Sequence, residues 1–402
     1  MIKTAILGYG TVGSGVAQVL SCNRDLIAKR VGDTLEVKYI LDLRDFPGDP
    51  FEDRIVHDID TILEDPEISI VCETMGGNEP AYTFSRRALE AGKSVCTSNK
   101  ELVANHGAEL IRTAREHCCN YLFEASVGGG IPIIRPLNCA LTAERVLEIS
   151  GILNGTTNYI LTKMEQEQTS FGAALSEAQR LGYAEKNPEA DVEGHDACRK
   201  IAILTSLMAG RTVDFQEIHT EGISGIEPQD FAYAKKLHMT IKLLAVSREK
   251  EEGYQAYVAP CLLDKDQALA GVNDVFNAIF VHGNTLGESM FYGRGAGKLP
   301  TASAVVSDMV DCARHPGIHI GCLWEPEKQE LTDYRDLEGR FFVRMKKSAR
   351  LQAEKVFAPE REVWLEELPE EYGFVTSGMS EREFVKRQEQ VPGLIKRIRI
   401  KD

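Results

Sequence analysis

Three glycines at fixed spacing, in Gly8-Tyr9-Gly10-Thr11-Val12-Gly13, restrict what this chain can fold into more than any other feature. A short apolar run at residues 4–8 reads as a buried strand, and an amphipathic run at 12–20 reads as a helix. Between a strand and a helix, G-x-G-x-x-G is a dinucleotide signature. Gly8 permits the tight turn, Gly10 lets backbone approach a pyrophosphate, and Gly13 lets helix and strand pack closely. The free N–H groups and positive dipole end of the helix would receive the phosphates. Thr11, Val12 and, further on, Thr74 are counted with the glycines as cofactor contacts.

Behind the motif, strand-like runs at 35–41, 68–72, 94–97 and 121–123 alternate with helical runs at 82–91 and 108–116. That alternation implies βαβ units and a doubly wound α/β domain of the Rossmann type. From residue 146 the texture changes to longer β-branched runs at 146–153, 240–246 and 254–263, with a hairpin turn expected at 248–253. A helix at 301–313 could return to pack on the first domain. The expected division is a dinucleotide domain at 1–135, completed by about 298–318, an α+β substrate, catalytic and dimerisation domain at 136–297, and a small α+β unit at 335–402.

Composition narrows the class. A net charge of −15 argues against nucleic acid or an anionic membrane as partner, and no apolar run reaches membrane-spanning length. The glycine motif begins at residue 8, which leaves no room for a signal peptide, so a cytoplasmic location is expected. The ten cysteines include no Cys-x-x-Cys pair and read as reduced thiols.

The second strand ends near Asp42-Leu43-Arg44. An acidic residue there would bind the ribose hydroxyl of NAD, whereas an arginine such as Arg44 would accept the 2′-phosphate of NADP; both types are present, and the choice stays open. A carbonyl that accepts a hydride becomes an alkoxide and needs a proton donor or positive charge. Lys100 follows a strand of the first domain, at the sheet edge where ligands bind. Asp196 and Lys200 share one face of a helix at i, i+4, with Asp191 just upstream; alone, such a pair would as readily be a surface ion pair.

The extended pattern decides. Residues 182–194, Gly-Tyr-Ala-Glu-Lys-Asn-Pro-Glu-Ala-Asp-Val-Glu-Gly, resemble the substrate segment of homoserine dehydrogenases, as do Asn99-Lys100-Glu101-Leu102-Val103-Ala104, residues 124–132, 151–159 and 293–304, in family order over roughly 1–315. The resemblance implies reversible NAD- or NADP-dependent interconversion of L-homoserine and L-aspartate 4-semialdehyde, on the route to threonine, methionine and isoleucine. It implies Lys200 as general acid/base, Asp196 orienting it, and Lys100 lining the hydride path. Glu185 would bind the substrate ammonium with Asp191 nearby, and Thr156 and Tyr183 are candidates for its carboxylate. The family further implies a sodium ion on oxygens of Glu124, Val127, Gly129 and Ile131, mostly main-chain carbonyls, and a homodimer or dimer of dimers. A run of three glycines is equally a tight turn at a domain junction. A regulatory protein without turnover that senses NAD(P)H or an amino acid is the rival from another class, but a sensor needs no proton donor.

Two departures stand out. Longer family members carry a C-terminal ACT module of βαββαβ order, and residues 335–402 resemble one only at 341–345 and 380–400. The middle, 348–369, lacks the loop and helix that normally line the effector site, so a degenerate ACT-like unit is expected. Arg294 and Lys298 also stand where small or apolar residues are common.

Overall fold

The computed structural model describes residues 1–251 and 253–401, and the chain divides into two compact units. The first comprises Met1–Arg145, Ala202–Asp214 and Phe291–Gln329. Its six-stranded parallel sheet runs Ile55–Val56, Leu35–Leu41, Ile2–Leu7, Ile68–Glu73, Ser94–Thr97 and Tyr121–Leu122 from edge to edge. Strand order therefore reverses beside Ile2–Leu7, the switch point at which open α/β sheets bind ligands. Ile6, Ile40, Val71, Cys72 and Cys96 are fully buried, as expected for strands covered on both faces. The helix Lys298–Arg314 packs on the helix Thr11–Cys22 so closely that a Cβ on Gly15 would lie 2.9 Å from the Lys298 carbonyl. All ten cysteines are free thiols. No helix among the described residues is long and apolar enough to cross a membrane.

The second unit comprises Val146–Ile201, Phe215–Met290 and Glu330–Asp402. Its sheet runs Gly287–Arg294, Phe276–Gly283, Val146–Ile152, Met239–Lys250, Gly253–Asp264, Leu394–Lys401, Glu338–Lys346, Glu371–Val375 and Arg361–Val363. The hairpin is tighter than expected: Arg248 and Lys250 are still strand, paired with Gln255 and Gly253, and Glu252 of the expected turn lies outside the described residues.

The C-terminal stretch departs from expectation in its middle. Residues 348–369 do contain a helix, Arg350–Phe357, and a strand, Arg361–Val363. Strand Glu338–Lys346, that helix, strands Arg361–Val363 and Glu371–Val375, helix Glu381–Gln388 and strand Leu394–Lys401 follow one another in βαββαβ order. Its outer strand Leu394–Lys401 pairs in parallel with Gly253–Asp264, so this sheet continues the preceding one.

Buried charges pin this region. Arg344, 1% exposed, donates to Asp230 at 2.5 Å, to Glu227 at 3.1 Å and to both oxygens of Glu371 at 3.0 Å. Removing one member of a buried pair strands the other charge at a cost of about 3–5 kcal/mol. Arg344→Met is therefore expected to lower the melting temperature by roughly 10 °C in calorimetry.

Glu221 lies among His219, Arg397 and Arg399. Burial pushes its carboxyl up, but hydrogen bonds from His219 and Arg399 and the charges of Arg399 and Arg397 outweigh this and hold it well below its ordinary 4.5. A carboxylate depressed by folding adds stability that is present above the unfolded value and lost as pH falls through the folded one. The melting temperature should therefore fall as pH drops below about 4.5, less steeply in Glu221→Gln. Superimposable acid limbs in the two proteins would remove Glu221 from the explanation.

Candidate active site

The glycine turn has the geometry its spacing requires. Gly8 has φ +90°, and a Cβ on Gly13 would lie 1.9 Å from the Gly8 carbonyl oxygen, so only glycine fits there. A Cβ on Gly10 would meet nothing within 4 Å: the space beside it is open. No side chain caps the helix Thr11–Cys22 that follows, so side chains leave its first N–H groups to a ligand. These features fit a dinucleotide pyrophosphate. Thr74 holds the turn from below, its hydroxyl donating to the Gly8 carbonyl at 2.8 Å.

At the end of the second strand, Asp42 accepts from the Tyr9 N–H at 2.9 Å and grips Arg44 through both oxygens, at 2.9 and 3.0 Å. The Arg44 hydrogen bonds, opposed by burial and aided by the Tyr9 amide, hold the Asp42 carboxyl well below the usual carboxylate range. The Arg44 side chain is exposed and lies over the Phe46 ring at 5.0 Å. The two residue types that left the cofactor open in the sequence are thus bonded to each other.

Lys100 opens the helix Lys100–Glu116, which begins eight residues earlier than the sequence pattern suggested. Asn99 caps it, accepting from the Leu102 N–H at 3.1 Å and donating to the Gly77 carbonyl at 2.6 Å. Beneath it, buried Glu73 accepts from the Thr97 hydroxyl at 2.5 Å and the Met75 N–H at 2.7 Å. Burial nonetheless raises the Glu73 carboxyl. Neither Asn99 nor Glu73 was singled out from sequence, although an Asn directly before a lysine–glutamate helix start is a cap signal.

Around the triple glycine, the carboxylate of Glu124 accepts the N–H groups of Ile133 at 2.6 Å, Ile134 at 2.9 Å and Arg135 at 2.6 Å. Asp308 accepts the Glu124 N–H at 2.9 Å and pairs with Arg135 at 2.6 Å. Burial, with the Glu124 charge, pushes the Asp308 carboxyl up to about 8 against the pull of Arg135. A Cβ on Gly129, whose φ is +56°, would lie 2.3 Å from the Gly295 carbonyl: the run admits a second glycine loop against itself. Val127 and Ile131 are buried in this turn.

In the second unit, Lys200 lies on the helix His195–Ala209, 8% exposed. Its amine donates to the Leu153 carbonyl at 2.7 Å and pairs with Asp196 Oδ2 at 2.8 Å, one helical turn earlier. Asn154, next to Leu153, donates to that same Asp196 oxygen at 2.9 Å and to Asp191 at 2.7 Å. Its Oδ1 caps the helix Gly155–Glu167 by accepting the Thr157 N–H at 2.9 Å. The end of the strand Val146–Ile152 thus fixes the ammonium through a main-chain oxygen and both aspartates through one amide. In the sequence Asn154 stands out only as a member of the 151–159 motif. Its cap position was legible, its bridge to residues 37 and 42 positions away was not.

Around this centre, the Thr156 hydroxyl donates to the Tyr183 carbonyl at 2.7 Å, and the exposed Tyr183 ring meets Tyr159 edge-on at 5.0 Å. Glu185 is exposed, and its main chain accepts from Gln179 at 3.1 Å. His195, which adjoins Asp196 at the start of this helix, is exposed. The arrangement can present a buried, carboxylate-paired ammonium as a proton donor.

Known sequences and structures bear on what that donor serves. The homoserine dehydrogenase family model matches residues 132–310, and the model of the homoserine dehydrogenase NAD binding domain matches residues 8–124. A homoserine dehydrogenase of Synechocystis is 45% identical over 320 residues, 77% of this chain and 73% of that protein. The crystal structure of a homoserine dehydrogenase from Thiobacillus denitrificans superposes with a TM-score of 0.90 at 33% identity, covering 100% of this chain and 98% of the other. A hyperthermophilic archaeal homoserine dehydrogenase in complex with NADPH gives 0.66 at 28% identity over 77% of this chain and 97% of the other.

Proposed function

The chain belongs to the homoserine dehydrogenase family, and from that premise we propose that Lys200 is the general acid and base of its reaction, with Asp196 as the group that orients it. The enzyme interconverts L-homoserine and L-aspartate 4-semialdehyde with NAD or NADP, in the biosynthesis of threonine, methionine and isoleucine. The bound dinucleotide supplies or accepts the hydride. Gly8, Gly10, Thr11, Val12 and Gly13 would hold its pyrophosphate, with Thr74 bracing the turn, and Asp42 and Arg44 would meet its adenosine ribose.

One observation carries the catalytic assignment: the buried Lys200 ammonium fixed by Asp196 and the Leu153 carbonyl. In the reducing direction Lys200 gives a proton to the aldehyde oxygen as it becomes an alkoxide; in the oxidising direction the neutral amine takes the hydroxyl proton. Asp196 and the Leu153 carbonyl both favour the charged amine and aim it. Asp191, held with Asp196 by Asn154, and Glu185 supply negative charge for the substrate ammonium. Thr156 and Tyr183, joined by a hydrogen bond, wall the side for the carboxylate, and Lys100 lines the hydride path. We assign 1–135, with about 298–318, to the dinucleotide, 136–297 to substrate and dimerisation, and 335–402 to an ACT-like unit.

A sodium ion would be held by main-chain oxygens of Glu124, Val127, Gly129 and Ile131, since both Glu124 carboxylate oxygens already serve three amides. Its test is a sodium-dependent rise in melting temperature, absent with tetramethylammonium. The sheet ends at Gly287–Arg294, whose alternate residues Met290 and Tyr292 are exposed, and a second copy would dimerise there. A monomer in light scattering would refute that. Small water-soluble substrates fit a cytoplasmic enzyme. The reaction is tested by following NADH and NADPH absorbance separately with homoserine: turnover should depend on homoserine and fail with other hydroxy amino acids such as serine.

A further inference from the structure

The strand Gly253–Asp264 carries two short partners in succession on one edge. His219 and Thr220 pair in parallel with Tyr257 and Val258; Arg399, Ile400 and Lys401 then pair in parallel with Cys261, Leu262 and Leu263. Glu221 falls at the junction, its N–H on the Val258 carbonyl at 2.8 Å. Its carboxylate receives both terminal nitrogens of Arg399 at 2.8 Å, Arg397 at 3.4 Å and His219 at 2.7 Å. Glu381, 2% exposed, closes the far side by pairing with Arg399 and, at 2.6 Å, with Arg397. Two arginines of the last strand and two glutamates thus form an alternating, charge-balanced, largely buried cluster.

The residues beside Glu221 form the seat of the catalytic turn. The Ile223 N–H donates to the Val192 carbonyl at 2.8 Å, and a Cβ on Gly222 would lie 2.6 Å from that carbonyl and 2.7 Å from Glu193 Cα. Gly194, at φ +82°, rests on Thr220: a Cβ there would meet Thr220 Cγ2 at 3.0 Å and the Glu221 carbonyl at 3.5 Å. The Gly194 carbonyl accepts the Cys198 N–H at 2.9 Å, the first turn of the helix that carries Asp196 and Lys200. An unbroken set of contacts therefore runs from Arg399 through Glu221 to the backbone that aims the lysine.

We propose that Arg399 is a positioning residue for catalysis: through Glu221 the last strand of the C-terminal region holds the 191–196 turn, and so the direction of the Lys200 amine. The inference rests on the assignment of Lys200 and Asp196 above. Small displacements matter because a misplacement of about 1 Å at a proton donor can cost about a hundredfold in rate.

The test compares Arg399→Met, Arg399→Lys and Glu221→Gln in the full-length enzyme, below their melting temperatures. Arg399→Met should lower kcat about tenfold while leaving the KM for the dinucleotide unchanged, and should shift the pH profile of kcat. Arg399→Lys, which keeps the charge without the two-pronged grip, should recover part of the loss. Where Arg399→Met does not fold, Glu221→Gln, of the same shape, should show the same split. Variants that melt earlier but keep the parent kcat and pH profile would overturn the proposal, leaving the cluster a structural clamp. A double-mutant cycle with Asp196→Asn should be non-additive; additive effects also count against it. If Lys200→Ala stays active, the catalytic assignment itself has failed. If Lys200→Ala is inactive while Arg399→Met and Glu221→Gln turn over as the parent, only the present inference has.

Discussion

Lys200→Ala is expected to lower kcat about a thousandfold in both directions, within the range of about a hundred to ten thousand that positioned proton transfer contributes. The expectation follows from where the amine sits. It is almost wholly buried, so bulk water is poorly placed to substitute for it, and the Leu153 carbonyl and Asp196 give it a fixed direction. The substitution also removes the Lys200 charge from beside the Asp196 carboxylate, 3% exposed, so some loss of stability will accompany the loss of rate. The two can be separated. Small primary amines added to Lys200→Ala should restore part of kcat, in proportion to their basicity, because the cavity left by the side chain admits them; they should not raise the melting temperature to that of the parent. Asp196→Asn should be milder, since the amide keeps the contact with Asn154 through its oxygen but no longer stabilises the charged amine. A Lys200→Ala enzyme within tenfold of the parent would end the assignment.

How much of this centre the sequence carried depends on the range over which each signal acts. Asp196 and Lys200 were legible because a helix brings i and i+4 together whatever the rest of the chain does, and the glycine turn was legible because its constraints lie within six residues. The Leu153 carbonyl was not: a main-chain oxygen leaves no mark in the residue type, and only tertiary structure brings it to a lysine 47 positions away. Asn154 is intermediate, its cap role local and its bridge to two aspartates not. Glu124 was read as a cation ligand by resemblance, and what its side chain does, capping three amides, follows from a chain reversal that a single sequence does not encode locally.

The C-terminal region shows a different failure. Its helix Arg350–Phe357 is written in good helix formers, Leu351, Gln352, Ala353, Glu354 and Lys355, a local propensity signal that persists although the family's effector-site motif is absent from this stretch. That the last strand would add to the edge of Gly253–Asp264 could not be read at all, since parallel pairing of Arg399 with Cys261 is set by packing across 138 residues (399 − 261). The consequence is mechanical. The final strand belongs to the same sheet as Val146–Ile152, the strand whose end leads into Leu153, the main-chain partner of the lysine.

The nucleotide turn offers the second large effect, and it comes as a contrast between neighbours. Gly13→Ala should be severe, because its Cβ would lie 1.9 Å from the Gly8 carbonyl and 2.9 Å from the Thr74 hydroxyl. Both are parts of the turn itself, so relief requires the strand and helix to separate. Overpacking of this kind costs about 1–3 kcal/mol, and a backbone obstacle belongs at or above the upper end. The variant should melt several degrees lower and bind dinucleotide poorly. Gly10→Ala should do only the second. Gly10 has φ −80°, outside the left-handed region that favours glycine, and its Cβ would touch nothing within 4 Å. Its melting temperature should match the parent, while the KM for NAD or NADP rises about tenfold or more, because on the proposed assignment the pyrophosphate would approach the backbone through that space. A methyl group at Gly10 that leaves dinucleotide KM unchanged would mean the phosphates lie elsewhere; one that lowers stability as Gly13→Ala does would mean the turn, not the ligand, requires the glycine.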